Sequence, residues 1–131
     1  QLKKINLAYN HLSQIGNEAL ARFNLIQKIE VLSLSERLNE VGSLIYGDFG
    51  AMVFLASPYT FKVETLDLSE SNLTDRSAIA ISQSARFTQL LKLNLSGNRI
   101  TDLGASALAN SKYFKQLKQL NNGRKKSSKR N

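Results

Sequence analysis

Few residues of this chain belong to the types that perform chemistry in proteins. His11 is the only histidine and there is no cysteine, so the sequence offers neither a Ser/His/Asp nucleophilic set nor a Cys-based zinc site. Phosphate-binding loops of the GxxxxGK[ST] or GxGxxG kind do not occur in the sequence. We expect His11, next to Asn10, to be exposed or bonded within a turn. The sequence therefore predicts no catalytic residue, no metal site and no cofactor.

Basic residues are concentrated at the carboxyl-terminal end of the chain. The 131 residues include 18 Lys and Arg against 10 Asp and Glu, a formal net charge of +8. Segment 123–131 holds five of the basic residues and no acidic or apolar one: Arg124, Lys125, Lys126, Lys129 and Arg130. We expect a disordered tail there. It is either a solubilising tail or a site for nucleic acid or acidic membrane, bound through phosphate contacts.

The rest of the chain repeats itself every 27 residues. Leu-Asp-Leu-Ser at 66–69 recurs as Leu-Asn-Leu-Ser at 93–96, and the same spacing relates residues 5–7 to residues 32–34. Another step of 27 from position 93 leads to Leu120, where a fifth copy begins. A fixed period of this length is the signature of a repeat architecture.

One copy departs from the period. Leu32 and Leu66 are 34 residues apart, so the second copy has seven extra residues, and these lie within 35–47. The insertion mixes charged and apolar side chains, and two interpretations stay open: a loop used for recognition or a short helix packed on the core. We predict a repeat domain over residues 1–122 and a tail over 123–131.

Each copy combines a strand with a helix. Leucines spaced two apart predict a short strand with one buried face, and the Ala- and Leu-rich stretches that follow, such as 104–109, predict helices. Thr74-Asp75 recurs with the same offset as Thr101-Asp102. Strands joined each time through a helix must run parallel with right-handed crossovers. The fold class is therefore an α/β solenoid.

The segment 90–109 closely resembles a leucine-rich repeat of the ribonuclease-inhibitor type; its sequence is Leu-Leu-Lys-Leu-Asn-Leu-Ser-Gly-Asn-Arg-Ile-Thr-Asp-Leu-Gly-Ala-Ser-Ala-Leu-Ala. The likeness covers about residues 2–122. It implies a curved leucine-rich-repeat solenoid, with the parallel sheet on the concave face, helices on the convex face and protein binding as the usual use. It also implies structural turn asparagines, Asn10 and Asn98, that bond backbone N–H and C=O groups where the strand bends away.

Side chains that alternate with the strand leucines are expected to line the concave face. They form a polar ladder: Asn6, Ser33, Asp67, Asn94 and Asn121. Ser69 is expected to point outward as well. The candidate partner-binding residues of this face are Lys4, Asn6, Tyr9, Ser33, Glu36, Thr65, Asp67, Glu70, Lys92 and Asn94. Tyr9 is the expected aromatic anchor, and the alternative is a face that is merely solvated.

These features predict a non-catalytic module that binds a protein partner on its concave sheet face, as part of a larger receptor, adaptor or bacterial effector. The alternative is a nucleic-acid- or membrane-associated protein that acts through the basic tail. We expect a monomer or a part of a longer chain. We also expect an intracellular, cytoplasmic location, with the nucleus or delivery into a host cell as variants.

Overall fold

Five short strands lie side by side in one parallel sheet. The computed structural model describes residues 2–8, 19–20, 22, 28–34, 47–55 and 62–123. The strands are β1 Lys4–Asn6, β2 Val31–Ser33, β3 Thr65–Asp67, β4 Lys92–Asn94 and β5 Gln119–Asn121. Their order in the sheet follows their order in the chain, so each unit stacks on the one before it.

Helices connect the later strands. Among the described residues, the α-helices with assigned bounds are α1 Gly47–Leu55, α2 Asp75–Ser82 and α3 Asp102–Ala109; residues 19–20 are also helical, and a 3-10 helix Ala85–Phe87 follows α2. Thr74 and Thr101 are the N-caps of α2 and α3, and their hydroxyls accept the N–H two residues on. The strand–helix alternation and the parallel sheet confirm the α/β solenoid predicted from the repeat.

The register of the sheet reproduces the repeat. The central residues of the five strands stand side by side in one row: Ile5, Leu32, Leu66, Leu93 and Leu120. The longer second copy therefore leaves the register of β2 against β3 unchanged. This row points into the core, where Leu32, Leu66 and Leu93 are at most 1% exposed. Burial of such leucines stabilises the fold by about 1.5 to 3 kcal/mol each.

The helices close the core from one side of the sheet. Ala78 and Ile81 of α2 and Leu108 of α3 are buried in the same cluster as the strand leucines. The small side chain of Ala78 lets the helices lie close to one another. The opposite side of the sheet carries no helix in the part of the chain described, and we call it the open sheet face.

Two predicted regions fall outside the described residues. Within the insertion at 35–47, the structure describes Gly47 alone. The basic tail is described as far as Gly123. The interpretations of the insertion and of the tail therefore remain predictions.

Candidate functional site

The open sheet face consists of two rows of side chains that the parallel register aligns. The first row holds the first residue of each strand: Lys4, Val31, Thr65, Lys92 and Gln119. The second row holds the third residue of each strand: Asn6, Ser33, Asp67, Asn94 and Asn121. All ten side chains are exposed or half-buried, and nine are polar. The face therefore presents hydrogen-bonding groups, and it includes seven of the ten predicted partner-binding residues.

The second row also ends the strands. Asp67 Oδ1 accepts the backbone N–H of Ser69 at 3.0 Å. The same bond occurs three more times: Oδ1 accepts the backbone N–H of the residue two positions later at Asn6, Asn94 and Asn121. This Asx turn satisfies an N–H that would otherwise lose its partner where the strand stops. The bond also fixes the orientation of the side chain, and with it the position of the polar atom that the turn does not use.

Charge varies along the face. Asp67 is the one acidic side chain among the ten, and its Oδ2 lies 3.5 Å from the Ser33 hydroxyl that donates to it. Lys92 on the neighbouring strand and Lys4 on β1 are exposed. The face therefore places a negative charge between two positive ones, a pattern that favours a partner surface with complementary charges.

The chain leaves the sheet directly after Asp67, which changes the position of two residues expected on this face. Ser69 was predicted to point outward, but it is buried, at 8% exposure. The prediction is wrong because Ser69 lies in a turn beyond the end of β3, where strand alternation no longer applies. Glu70 lies in the turn with φ at 52° and is half-buried. Its Cγ lies 2.7 Å from where a Cβ on Gly97 would stand, so Glu70 lies at the rim of the face, over the next unit.

Four predicted residues of interest lie outside the described ranges: Tyr9, Asn10, His11 and Glu36. The same is true of the basic residues of the tail, Arg124, Lys125, Lys126, Lys129 and Arg130. The roles predicted for them stay predictions.

A second polar system joins consecutive units at the starts of the helices, and it was not predicted from the sequence. Asp75 Oδ1 accepts the backbone N–H groups of Thr101, at 2.8 Å, and Gly104, at 3.0 Å. The other oxygen, Oδ2, accepts the Thr101 hydroxyl at 2.5 Å. One carboxylate thus fixes the first turn of the following helix, where N–H groups lack partners within the helix.

Asp48 makes the equivalent contacts one unit earlier. Its Oδ1 accepts the Thr74 N–H at 2.9 Å and the Ser77 hydroxyl at 2.5 Å, and its Oδ2 accepts the Thr74 hydroxyl. Partial burial alone would raise the pKa of Asp48. The hydrogen bonds from Ser77 and Thr74, with the positive charge of Arg76, outweigh burial and lower this pKa below its ordinary value. The carboxylate is therefore held in its ionised form.

Asn98 links units at the turns that follow the strands. Its Oδ1 accepts the N–H groups of Ser71 and Leu73, and its Nδ2 donates to the carbonyls of Leu68 and Leu95. Asn98 thus bonds both backbone N–H and backbone C=O groups, the two kinds expected of a turn asparagine, and it is 1% exposed. Ser71, which replaces asparagine in the preceding unit, donates its hydroxyl to the carbonyl of Ser69.

The polar side chains at the helix starts and turns differ from those of the open sheet face in how many polar atoms they leave for a ligand. Oxygens of Asp48 and Asp75 and both polar atoms of Asn98 are engaged inside the repeat array. The ranges that the structure describes contain no group of three His, Cys, Asp or Glu side chains placed to hold a metal ion. None of the helices described there is both long and apolar enough to cross a membrane. The open sheet face is therefore the candidate site.

Comparison with known families agrees with this architecture. A family model described as Leucine Rich repeat matches residues 61–82 and 88–109. The matched segments contain β3 with α2 and β4 with α3. No curated protein matches the chain. Leucine-rich repeats are commonly protein–protein interaction modules and are generally non-catalytic. The repeated sequence, the parallel sheet and the family match together show that the chain contains leucine-rich repeats.

Proposed function

We propose that this protein binds a protein partner across its open sheet face. The observation that carries the proposal is the alignment of ten outward side chains in two rows by one uninterrupted parallel register. A rigid sheet holds these groups at fixed spacing, so little conformational entropy is lost when a partner binds.

The size of the face sets the expected strength of binding. Neighbouring strands are about 4.8 Å apart and three residues extend about 10 Å, so the two rows cover roughly 200 Å². A standard interface buries about 800 Å² on each partner. The rows therefore form the centre of the interface, and the turns around them, such as the one that contains Glu70, supply its rim. We expect modest affinity unless these turns contribute.

Charge reversal on the face is the direct test. The double variant Lys4→Glu with Lys92→Glu changes two exposed lysines whose side chains form no hydrogen bond or ion pair with the described residues. The matched control, Lys62→Glu with Lys115→Glu, changes two exposed lysines outside the strands and alters net charge by the same amount. Both variants and the parent serve as bait in capture from nuclease-treated lysate, and binding of the captured protein is then measured by calorimetry.

The proposal expects a protein that the parent and the control bind and the Lys4/Lys92 variant does not. A chain without segment 124–131 is expected to retain this binding. Equal binding by both double variants would contradict a role for the face. If binding disappears with the tail and weakens steeply with salt, the tail-based alternative replaces the proposal, because release of counterions produces that salt dependence.

A further inference from the structure

We propose that the protein binds the phosphate backbone of a double-stranded nucleic acid along one side of the array, where the helices end and the strands begin. This surface is separate from the open sheet face and from the basic tail, so the inference is independent of the protein partner proposed above. The surface belongs to segment 62–123, which the structure describes throughout.

Three connecting segments form this surface, and each leads into a strand: 62–64, 83–91 and 110–118. Backbone hydrogen bonds hold them side by side. The Lys118 N–H donates to the Leu91 carbonyl at 2.9 Å, and the Leu91 N–H donates to the Glu64 carbonyl at 2.8 Å. We call the three segments together the lateral edge. Side chains on it are held at fixed positions along consecutive units.

Charge is divided between the lateral edge and the opposite side of the array. The lateral edge has one acidic side chain, Glu64, and five basic ones: Lys62, Arg86, Lys112, Lys115 and Lys118. On the opposite side, where strands end and helices begin, segments 68–76 and 95–103 contain three acidic and two basic side chains. The excess of positive charge on the lateral edge attracts a polyanion.

The lysines of the lateral edge are available to an external anion. Lys62, Lys115 and Lys118 are exposed, and their ammonium groups form no hydrogen bond or ion pair with the described residues. Helices α2 and α3 end at this edge, but their last turns contain no basic residue. The helix dipole acts within the last turn, so compensation of the dipole does not account for the lysines of 110–118.

The surroundings of these lysines favour a phosphate backbone over unpaired bases or lipid. Phe87 is buried, Phe114 packs half-buried against the core, and Nζ of Lys112 lies 5.3 Å from the centroid of the Tyr113 ring. The exposed residues of 83–91 and 110–118 are Gln, Asn, Lys and one Ala. The edge therefore offers no exposed aromatic ring on which bases would stack and no exposed leucine or aromatic side chain that would enter a bilayer. Exposed amides beside the lysines can donate to phosphate oxygens: Gln89 and Gln116.

Charge reversal on the lateral edge tests the proposal. The full chain is titrated onto a fluorescently labelled DNA duplex of mixed sequence at several salt concentrations, and binding is measured by fluorescence anisotropy. The test variant is Lys115→Glu with Lys118→Glu, at two exposed positions. Two control variants change the net charge equally, one on the opposite side of the array and one in the tail: Arg76→Glu with Arg99→Glu, and Lys125→Glu with Lys126→Glu. Circular dichroism checks that each variant is folded.

We expect the test variant to bind the duplex roughly tenfold more weakly than either control at physiological salt. Its dependence of log K on log salt should be shallower by about 2, because two phosphate contacts are lost. Lys115→Gln with Lys118→Gln should show a smaller loss in the same direction. A test variant that binds the duplex as tightly as either control would overturn the proposal.

Vesicles of phosphatidylcholine and phosphatidylserine present the same negative charge on a lipid surface. The full chain and the test variant are titrated onto them under the same conditions. We expect the parent to bind the duplex more tightly than the vesicles. Vesicle binding that requires Lys115 and Lys118, without binding to the duplex, would overturn the proposal in favour of a membrane surface.

Discussion

The helix starts and the open sheet face are both rich in polar side chains, but they use these side chains differently. At the helix starts, the bonds of Asp48 and Asp75 cross to the next unit, 26 to 29 residues away. On the sheet face, Asn6 and Asn94 bond backbone N–H groups two residues away within their own unit. The polar side chains at the helix starts therefore stabilise the array, whereas those of the sheet face are the ones that we propose contact a partner.

The difference shows which polar residues can be changed without loss of the fold. A side chain that forms hydrogen bonds between two units is required for the structure of both units. A side chain that forms only the Asx turn at the end of its own strand affects that turn alone.

Asn98→Ala should be the most damaging of these changes. It leaves four backbone groups without their partner at a site that is 1% exposed, and each unsatisfied buried group costs about 1 to 3 kcal/mol. We expect a loss of at least about 3 kcal/mol in the free energy of unfolding, measured by urea denaturation. Asn94→Ala, on the sheet face, should cost about 1 kcal/mol or less. Equal losses would remove the distinction between the two systems.

Gly104→Ala tests how closely the units approach at the helix starts. A Cβ at position 104 would lie 2.8 Å from Ile100 Cγ2 and would also collide with the Asp75 carboxylate. We expect a loss of about 1 to 3 kcal/mol, the usual effect of overpacking. Gly123→Ala is the control, because its nearest neighbour would be 3.8 Å away. A Gly104→Ala protein as stable as the control would show that the contact between units is loose.

The lowered pKa of Asp48 predicts a pH dependence of stability. An acid whose pKa is lower in the folded state stabilises the fold above its unfolded value, near 3.8, and this contribution disappears as pH falls through the folded pKa. Asp48→Asn should therefore be less stable than the parent at pH 7, and the gap should narrow below about pH 4. The difference in free energy of unfolding between the two proteins is measured by urea denaturation from pH 7 to pH 3. A gap that stays constant over this range would contradict the assignment.

The strands and their register were predictable from the sequence, because leucine spacing is local and the offset of 27 residues recurs along the chain. The outward row from Asn6 to Asn121 followed directly from that register. The end of β3 was less predictable: Asp67 closes an Asx turn, and Ser69, which lies beyond the strand, is buried. Period-two alternation predicts no such turn.

The contacts at the helix starts were missed although a signal was present. Thr74-Asp75 and Thr101-Asp102 repeat with the period of the strands, and a threonine at an N-cap is a local feature of helix starts. The partner of each threonine is an aspartate in the preceding unit, so the bond becomes visible only once the stacking of units is known. Repetition of polar residues outside the strands was the available clue.

One paired measurement tests the central distinction most directly: Asp67→Asn compared with Asp75→Asn. Both changes remove one negative charge and keep the side-chain shape. Asn already occupies the position of Asp67 in β1, β4 and β5, so Asp67→Asn should leave stability within about 0.5 kcal/mol. At Asp75, an amide would replace a carboxylate that accepts three donors, and we expect a loss of about 1 to 2 kcal/mol.

Urea unfolding and affinity for the captured partner are measured for both proteins, under conditions in which each is fully folded. The account predicts that Asp67→Asn keeps its stability and loses affinity, whereas Asp75→Asn loses stability and keeps affinity. The opposite pattern, or loss of both properties in both variants, would contradict the division between a helix side that holds the array together and a sheet face that binds.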